Sequence, residues 1–242
     1  SGGLGEIHTV HASIKELINR HDWLPAEATP APEVIDWDRW LGPAPWRPFN
    51  QAYVDGLWRG YHDFDSGAKL LDWGAHTLDL CQWASGQDGS MPVEWEPQQV
   101  PGDNLIHGRY NNGVKVVLRK SGWLGLGTCP IRLEGSDGWI ETGDSGRLAV
   151  SSDRLRGDLP TPADAGTIPR KHVRDFFDCV KTRSQPRANA NVMRSSHLAC
   201  HMAAISWILG RKVQVDPEQE AFTDDDQANR MCQRAMRAPY GV

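Results

Sequence analysis

Residues Ile7 to Ile14 have the residue mix of a strand, which puts His8 and His11 on opposite faces because side chains alternate. Residues 22–65 show no clean period, and six of the sixteen prolines fall there, between Pro25 and Pro48. A structureless stretch of that length in a compact domain is usually a functional loop. Residues 68–85 read as a helix that Gly86 is placed to end. From 103 to 151 the pattern becomes short strands: Asn104 to Tyr110, Val114 to Lys120, Ile131 to Glu134, Trp139 to Thr142 and Leu148 to Ser151. The intervening Asn111-Asn112-Gly113 and Ser136-Asp137-Gly138 turns suit hairpins, so the sheet is expected to be mainly antiparallel. Helical patterns follow at Lys171 to Arg183, Val192 to Leu209 with Gly210 as cap, and Glu218 to Arg237 with an interrupted start. The expected fold is α+β: a predominantly antiparallel open sheet, helices packed on one face, and a long Trp/Pro-rich loop. With no internal repeat or low-complexity linker, residues 1–242 are expected to form a single domain.

Two polar patterns interrupt this framework. In the helix of 68–85, Asp72, His76 and Asp79 are spaced four and three apart, which places them on one stripe. An Asp one turn before a His can accept from one ring nitrogen, fix the tautomer and raise the basicity of the other, making the imidazole a base for a hydroxyl proton. The plainer alternative is a satisfied pair on a solvent face. Gly74, between the two, weakens the helix by about 1 kcal/mol relative to Ala, as if something approached closely there. The second pattern is on the sheet, where His107, Arg109, Lys115, Arg119 and Arg132 are expected to share a cationic face. Such a face suits solvent or, better, a subunit interface, with Asp224-Asp225-Asp226 as one source of counter-charge.

Composition changes the picture in one respect. Eleven tryptophans are unusual, and Trp23, Trp37, Trp40, Trp46, Trp58 and Trp73 fall in the first third, most of them among prolines and glycines. Flat apolar walls of this kind suit the C–H faces of a sugar, although pinning loops to the domain explains any single Trp equally well. The formal net charge of −5 and the lack of Lys/Arg runs argue against a nucleic-acid partner. No apolar run is long enough for a membrane span. The five cysteines are scattered and read as buried thiols. His62, Asp63 and Asp65 together with the stripe could supply metal ligands, but no metal-site spacing is present and none is expected. Gly2-Gly3-Leu4-Gly5 and the run Gly122, Gly125, Gly127 lack the form of a dinucleotide fingerprint. Ser195, Ser196 and His197 point in different directions on a helix and read as packing and surface residues.

Several segments together resemble the C-terminal domain of the Gfo/Idh/MocA family of NAD(P)-dependent oxidoreductases, which includes glucose-fructose oxidoreductase and inositol dehydrogenase. Asp72 to Asp79, D-W-G-A-H-T-L-D, is similar to that family's D-x-G-x-H-x-x-D. D-W-D-R-W-L-G-P-A-P-W-R-P-F-N from Asp36, H-V-R-D-F-F-D-C-V-K-T-R from His172 and G-R-K-V-Q-V-D-P-E from Gly210 add to it, and the likeness runs from Leu4 to the end.

The resemblance implies a substrate-binding and oligomerisation domain, with a homo-oligomer formed through the open sheet face and NAD or NADP bound by an N-terminal Rossmann domain. It makes His76 the acid/base on a sugar or polyol hydroxyl and Asp72 its orienting or substrate-binding partner. Asp79 would brace the helix behind them. Trp37, Arg39, Trp40, Arg59 and Trp73 are the candidate substrate-binding residues. The family's cofactor fingerprint and E-K-P lysine precede the point where this chain begins, so a fragment without redox activity or bound cofactor of its own is expected, its export signal, if any, lying upstream. The rivals are a non-catalytic sugar-binding or assembly module, and a metal- or acid/base-dependent lyase or hydrolase on keto-sugars.

Overall fold

The structure is a computed structural model and describes residues 3–65, 67–100, 103–156 and 167–241. In chain order it has β1 (Ile7–Ser13), α1 (Trp37–Leu41), α2 (Leu71–Ala84), β2 (Glu94–Val100), β3 (Asp103–Arg109), β4 (Lys115–Arg119), β5 (Ile131–Gly135), β6 (Gly138–Thr142) and β7 (Leu148–Val150). Then follow α3 (Asp153–Arg156), α4 (Thr167–Thr182), α5 (Ala190–Leu209), β8 (Val213–Asp216), β9 (Ala221–Phe222) and α6 (Asp226–Met231). The strands form one sheet of order β7-β6-β5-β1-β4-β3-β2-β8-β9. Only β1 with β4 is parallel among the described pairs. The architecture is therefore the α+β open sheet that the turn and strand pattern predicts.

Alternation decides which face is covered. Val10 and Ala12 of β1, Ile106 of β3, and Val116 and Leu118 of β4 are fully buried, and α2 and α5 lie over them. Two features bring these layers close. Gly108 is registered opposite Trp95, and a Cβ there would stand 2.6 Å from the fully buried indole. On α2, a Cβ at Gly74 would stand 3.2 Å from Ile14 Cγ2 and 2.9 Å from Leu70 Cδ2. What approaches Gly74 is thus the end of β1 and the preceding turn rather than a ligand. Thr77 Oγ1 locks the same contact by donating to the Ser13 carbonyl at 2.8 Å.

Several elements differ from the sequence expectation. β2 carries Pro97 and an alternation of Glu and Gln that masks it, yet it pairs along its length with β3. β8 pairs only Glu94 and Trp95, which leaves Pro97 at an unpaired edge, where a strand tolerates proline. The expected helix from Glu218 to Arg237 shrinks to α6. Asp225 caps it by accepting from Ala228 N, and Asn229 bonds both the N–H and the C=O of Phe222 at 2.8 Å, which holds β9 in place of a longer helix. Helix α4 forms, but Val173, Phe176, Phe177 and Val180, its apolar ridge, stay 45–55 % exposed, so among the described residues this helix does not bury its ridge on the sheet as α2 and α5 do.

The stretch 22–65 is irregular but not structureless. Trp37, Leu41, Phe49, Tyr53 and Tyr61 are buried in a second apolar core of their own. Arg47, 1 % exposed, sits inside it, its guanidinium within 4.6–5.8 Å of the Trp23, Tyr53, Tyr61 and Phe64 rings and paired with Asp63.

The uncovered sheet face corrects a charge expectation. Two of its basic residues are paired: Arg109 is 3.0 Å from Glu94, and Arg132 lies 3.3 Å from Glu134 and 3.8 Å from Glu141. Arg119 packs on Trp123 with 3.6 Å to the ring centroid. Two of the acids come from neighbouring strands in register, Glu94 opposite Arg109 and Glu141 opposite Arg132, and Glu134 lies two residues along β5 from Arg132. The proposed counter-charge Asp225 instead pairs with Arg211 at 2.6 Å.

Candidate active site

Helix α2 has three sides. Gly74, Thr77, Leu78 and Cys81 face the sheet and are buried; Trp73 faces one cavity, and His76, Asp79 and Trp83 another. The second cavity is about 850 Å³ and is completed by Leu71, Ala75, Asp88 and the start of α5 with its preceding turn. His76 is exposed there, its ring 6.5 Å from that of Trp73.

His76 and Asp79 share this cavity and Asp72 does not, and the pairing differs from the expectation. Asp72 does not hydrogen-bond His76. Its Oδ1 accepts from Arg59 Nε at 3.1 Å, and the Arg59 guanidinium rests 4.6 Å from the Trp58 ring centroid. Arg59 comes from the turn after 53–57 and reaches Asp72 in the first turn of α2, ahead of an imidazole one turn further along. Asp79 accepts from Ser196 Oγ at 2.6 Å and so ties α2 to α5.

Sequence reasoning missed the rest of this cavity. Asp88 lines it with Asp79, and burial first, then the Asp79 charge, pushes its carboxyl above the ordinary range. Arg187, Asn189 and His197 come from the α5 end, with His197 Nδ1 2.7 Å from the Met193 carbonyl. Ser196 is buried between α2 and α5, in keeping with its reading as a packing residue, and with His197 it also lines this cavity. No local spacing connects them to α2; only the α2–α5 packing does.

The substrate-binding candidates divide. Trp73 lines a cavity and Arg59 holds Asp72. Trp37 is 6 % exposed, stacks on Trp40 at 4.7 Å, and donates from Nε1 to the Arg47 carbonyl; it is a core residue and not a wall for a sugar. Trp40 is half-buried against Phe64. Arg39 is exposed on α1 and lines neither cavity beside α2. These aromatics sit in loops because the long excursion needs its own core.

The carboxylates first considered as metal ligands go to separate partners: Asp63 to Arg47, Asp65 to the Gly60 and Gly67 amides, Asp72 to Arg59 and Asp79 to Ser196. Among the described residues no three His, Cys, Asp or Glu side chains converge on a metal position. Nor do the glycines fit a dinucleotide pyrophosphate. Gly5 precedes β1, Gly122, Gly125 and Gly127 connect β4 to β5, and neither stretch leads from a strand into a helix N-terminus; Gly2 lies outside the described residues.

Comparison with solved structures shows the same fold. The chain is 14 % identical to myo-inositol 2-dehydrogenase from Lactobacillus plantarum, with a TM-score of 0.50, covering 89 % of this chain and 58 % of that one. It is also 14 % identical to the WlbA dehydrogenase from Bordetella pertussis, solved with NADH and UDP-GlcNAcA, with a TM-score of 0.53 and the same coverage. The chain thus spans 58 % of the length of these two proteins. No curated sequence matches it. The profile of the Gfo/Idh/MocA group described as "Oxidoreductase family, C-terminal alpha/beta domain" matches residues 20–242, and the chain belongs to that family.

Proposed function

We propose that this chain is the substrate-binding and acid/base part of an oxidoreductase that moves a hydride between NAD or NADP and a sugar or polyol hydroxyl, with the dinucleotide held outside the chain. The observation that carries the reading is His76, exposed on α2 and opening into a cavity of about 850 Å³ beside that helix. An imidazole so placed can take the hydroxyl proton as the carbinol is oxidised and return it in reduction. By this reading Asp72, held by Arg59 and one turn before His76, accepts from a neighbouring substrate hydroxyl. Trp73 offers an indole face beside them. The first solved structures support the substrate class, since one is an inositol dehydrogenase and another holds a nucleotide sugar and NADH. The same reading gives the open sheet face to a second subunit, and sedimentation as a monomer at both low and high salt would remove that part.

The deciding experiment is His76→Ala in the protein that carries the dinucleotide-binding half. Turnover should fall about 10²-fold to 10⁴-fold, the contribution of a positioned acid/base, with cofactor affinity little changed. Turnover within about threefold of wild type, below the 1.36 kcal/mol of a tenfold effect, would make the stripe structural. The chain by itself should bind substrate without oxidising it.

A further inference from the structure

We propose that the cavity on the Trp73 side of α2 binds the negatively charged group of a sugar acid or sugar phosphate, with Lys15, Lys69 and Lys120 as its counter-charges. The inference rests on the reading of His76 as the acid/base and names the class of substrate that this site takes.

The cavity, about 470 Å³, lies between the end of β1, the start of α2 and the β4–β5 connection. Three lysines line it against a single carboxylate, Glu16, in a chain whose formal net charge is −5. Glu16 reaches only Lys120, at 3.9 Å. No carboxylate among the described residues pairs with Lys15 or Lys69, whereas Arg47, Arg59, Arg109 and Arg132 each have one. Like charges gathered in a concavity repel one another, and an anion entering it relieves that repulsion.

The backbone adds an independent sign. Ala68 and Lys69 adopt φ of 50° and 65°, a left-handed conformation that costs a non-glycine residue about 1 kcal/mol or more and clusters at ligand sites. Ala68 is 1 % exposed in the main core, so the turn is held in place, and it delivers Lys69 to the cavity wall immediately before α2. Two indoles line the same space. Lys15 Nζ lies 3.9 Å from the Trp73 ring centroid, and Arg119 stacks behind Trp123 at 3.6 Å. Trp73 is also the residue after Asp72. It lines this cavity and its ring lies 6.5 Å from that of His76, so an anion held by the lysines is one side chain away from the imidazole.

Titration of the chain with glucuronate, glucose 6-phosphate and glucose, followed by calorimetry at low and high salt, tests this. At low salt at least one anion should bind about fivefold or more tighter than glucose, the scale of one partly exposed ion pair, and salt should erase the difference. Preference for glucuronate assigns the site to carboxylates and preference for the phosphate to phosphoryl groups. Lys69→Gln and Lys15→Gln should each weaken the anion about fivefold relative to glucose, and Glu16→Gln should strengthen it. Equal binding of all three sugars, no binding of any, or anion affinity indifferent to Lys69→Gln and Lys15→Gln would overturn the proposal. The acid/base reading fails separately, on the turnover of His76→Ala, whatever the lysine variants do.

Discussion

Arg59 Nε donates to Asp72 Oδ1 across 3.1 Å and so fastens the end of the Trp/Pro-rich excursion to the first turn of α2. The excursion, with no period legible in the sequence, thereby fixes one member of the candidate site. The pair is partly exposed, with side-chain exposures of 41 % and 25 %, which limits its value to stability.

A double-mutant cycle with Arg59→Ala and Asp72→Asn should therefore give a coupling of about 1 kcal/mol or less in urea unfolding. In the protein carrying the dinucleotide-binding half, Arg59→Ala should nonetheless slow turnover, because it frees the Asp72 carboxylate to rotate. A coupling above about 3 kcal/mol would instead mark the pair as structural.

Arg47 should behave in the opposite way. It is buried among four aromatic rings, donates to Tyr53 Oη at 3.3 Å and pairs with Asp63. Arg47→Ala leaves a cavity and a carboxylate without its partner, and should cost about 3 kcal/mol, read as a shift of the urea midpoint. Arg47→Lys should recover little, since an ammonium cannot reproduce the flat fork lying between the rings.

Gly108→Ala tests the sheet's packing. The added methyl would stand 2.6 Å from the Trp95 ring, which is fully buried and has no room to yield. A loss of about 1–3 kcal/mol in thermal or urea unfolding is expected, although alanine is otherwise harmless at most strand positions.

Stability should depend on pH in two stages. Burial, and then the charges of Arg119 and Arg132, lower the pKa of His11, with Glu134 opposing; burial likewise lowers that of His107, against the opposing charge of Glu96 and with a smaller lowering from Lys115. Both histidines are therefore neutral in the fold at a pH where the unfolded chain would protonate them. Their contribution is present above about pH 6.5 and is lost as pH falls below it. Glu94 acts lower down. Burial alone would raise it, but hydrogen bonds from Lys212, Arg109 and Gln214 outweigh that and hold it at about 2. Its contribution is present above about pH 4.5 and disappears as pH falls toward 2. Thermal melts across pH should show both declines, with His11→Asn flattening the upper one and Glu94→Gln the lower. A flat melting profile between pH 7 and pH 5 in the unmodified chain would contradict the first stage.

The sequence by itself determined what depends on neighbours a few residues apart. The strand alternation of β1 and β3 to β7, the helical stripe of α2, and the cap Gly210 on α5 are local, because dihedral preference and hydrophobic period act within one element. So is the placing of His76 and Asp79 on one side of α2, and they do share a cavity. Tertiary structure alone decided the partners. Asp72 bonds Arg59, thirteen residues away, rather than the imidazole one turn along, and Asp79 bonds Ser196 on α5. Trp37 went to a core rather than a ligand wall because the loop had rings enough to bury, and the basic sheet face found its acids on neighbouring strands. The physical reason is common to all four. Charges and hydrogen bonds are satisfied by whatever group lies within about 3 Å after folding, and chain distance does not measure that separation.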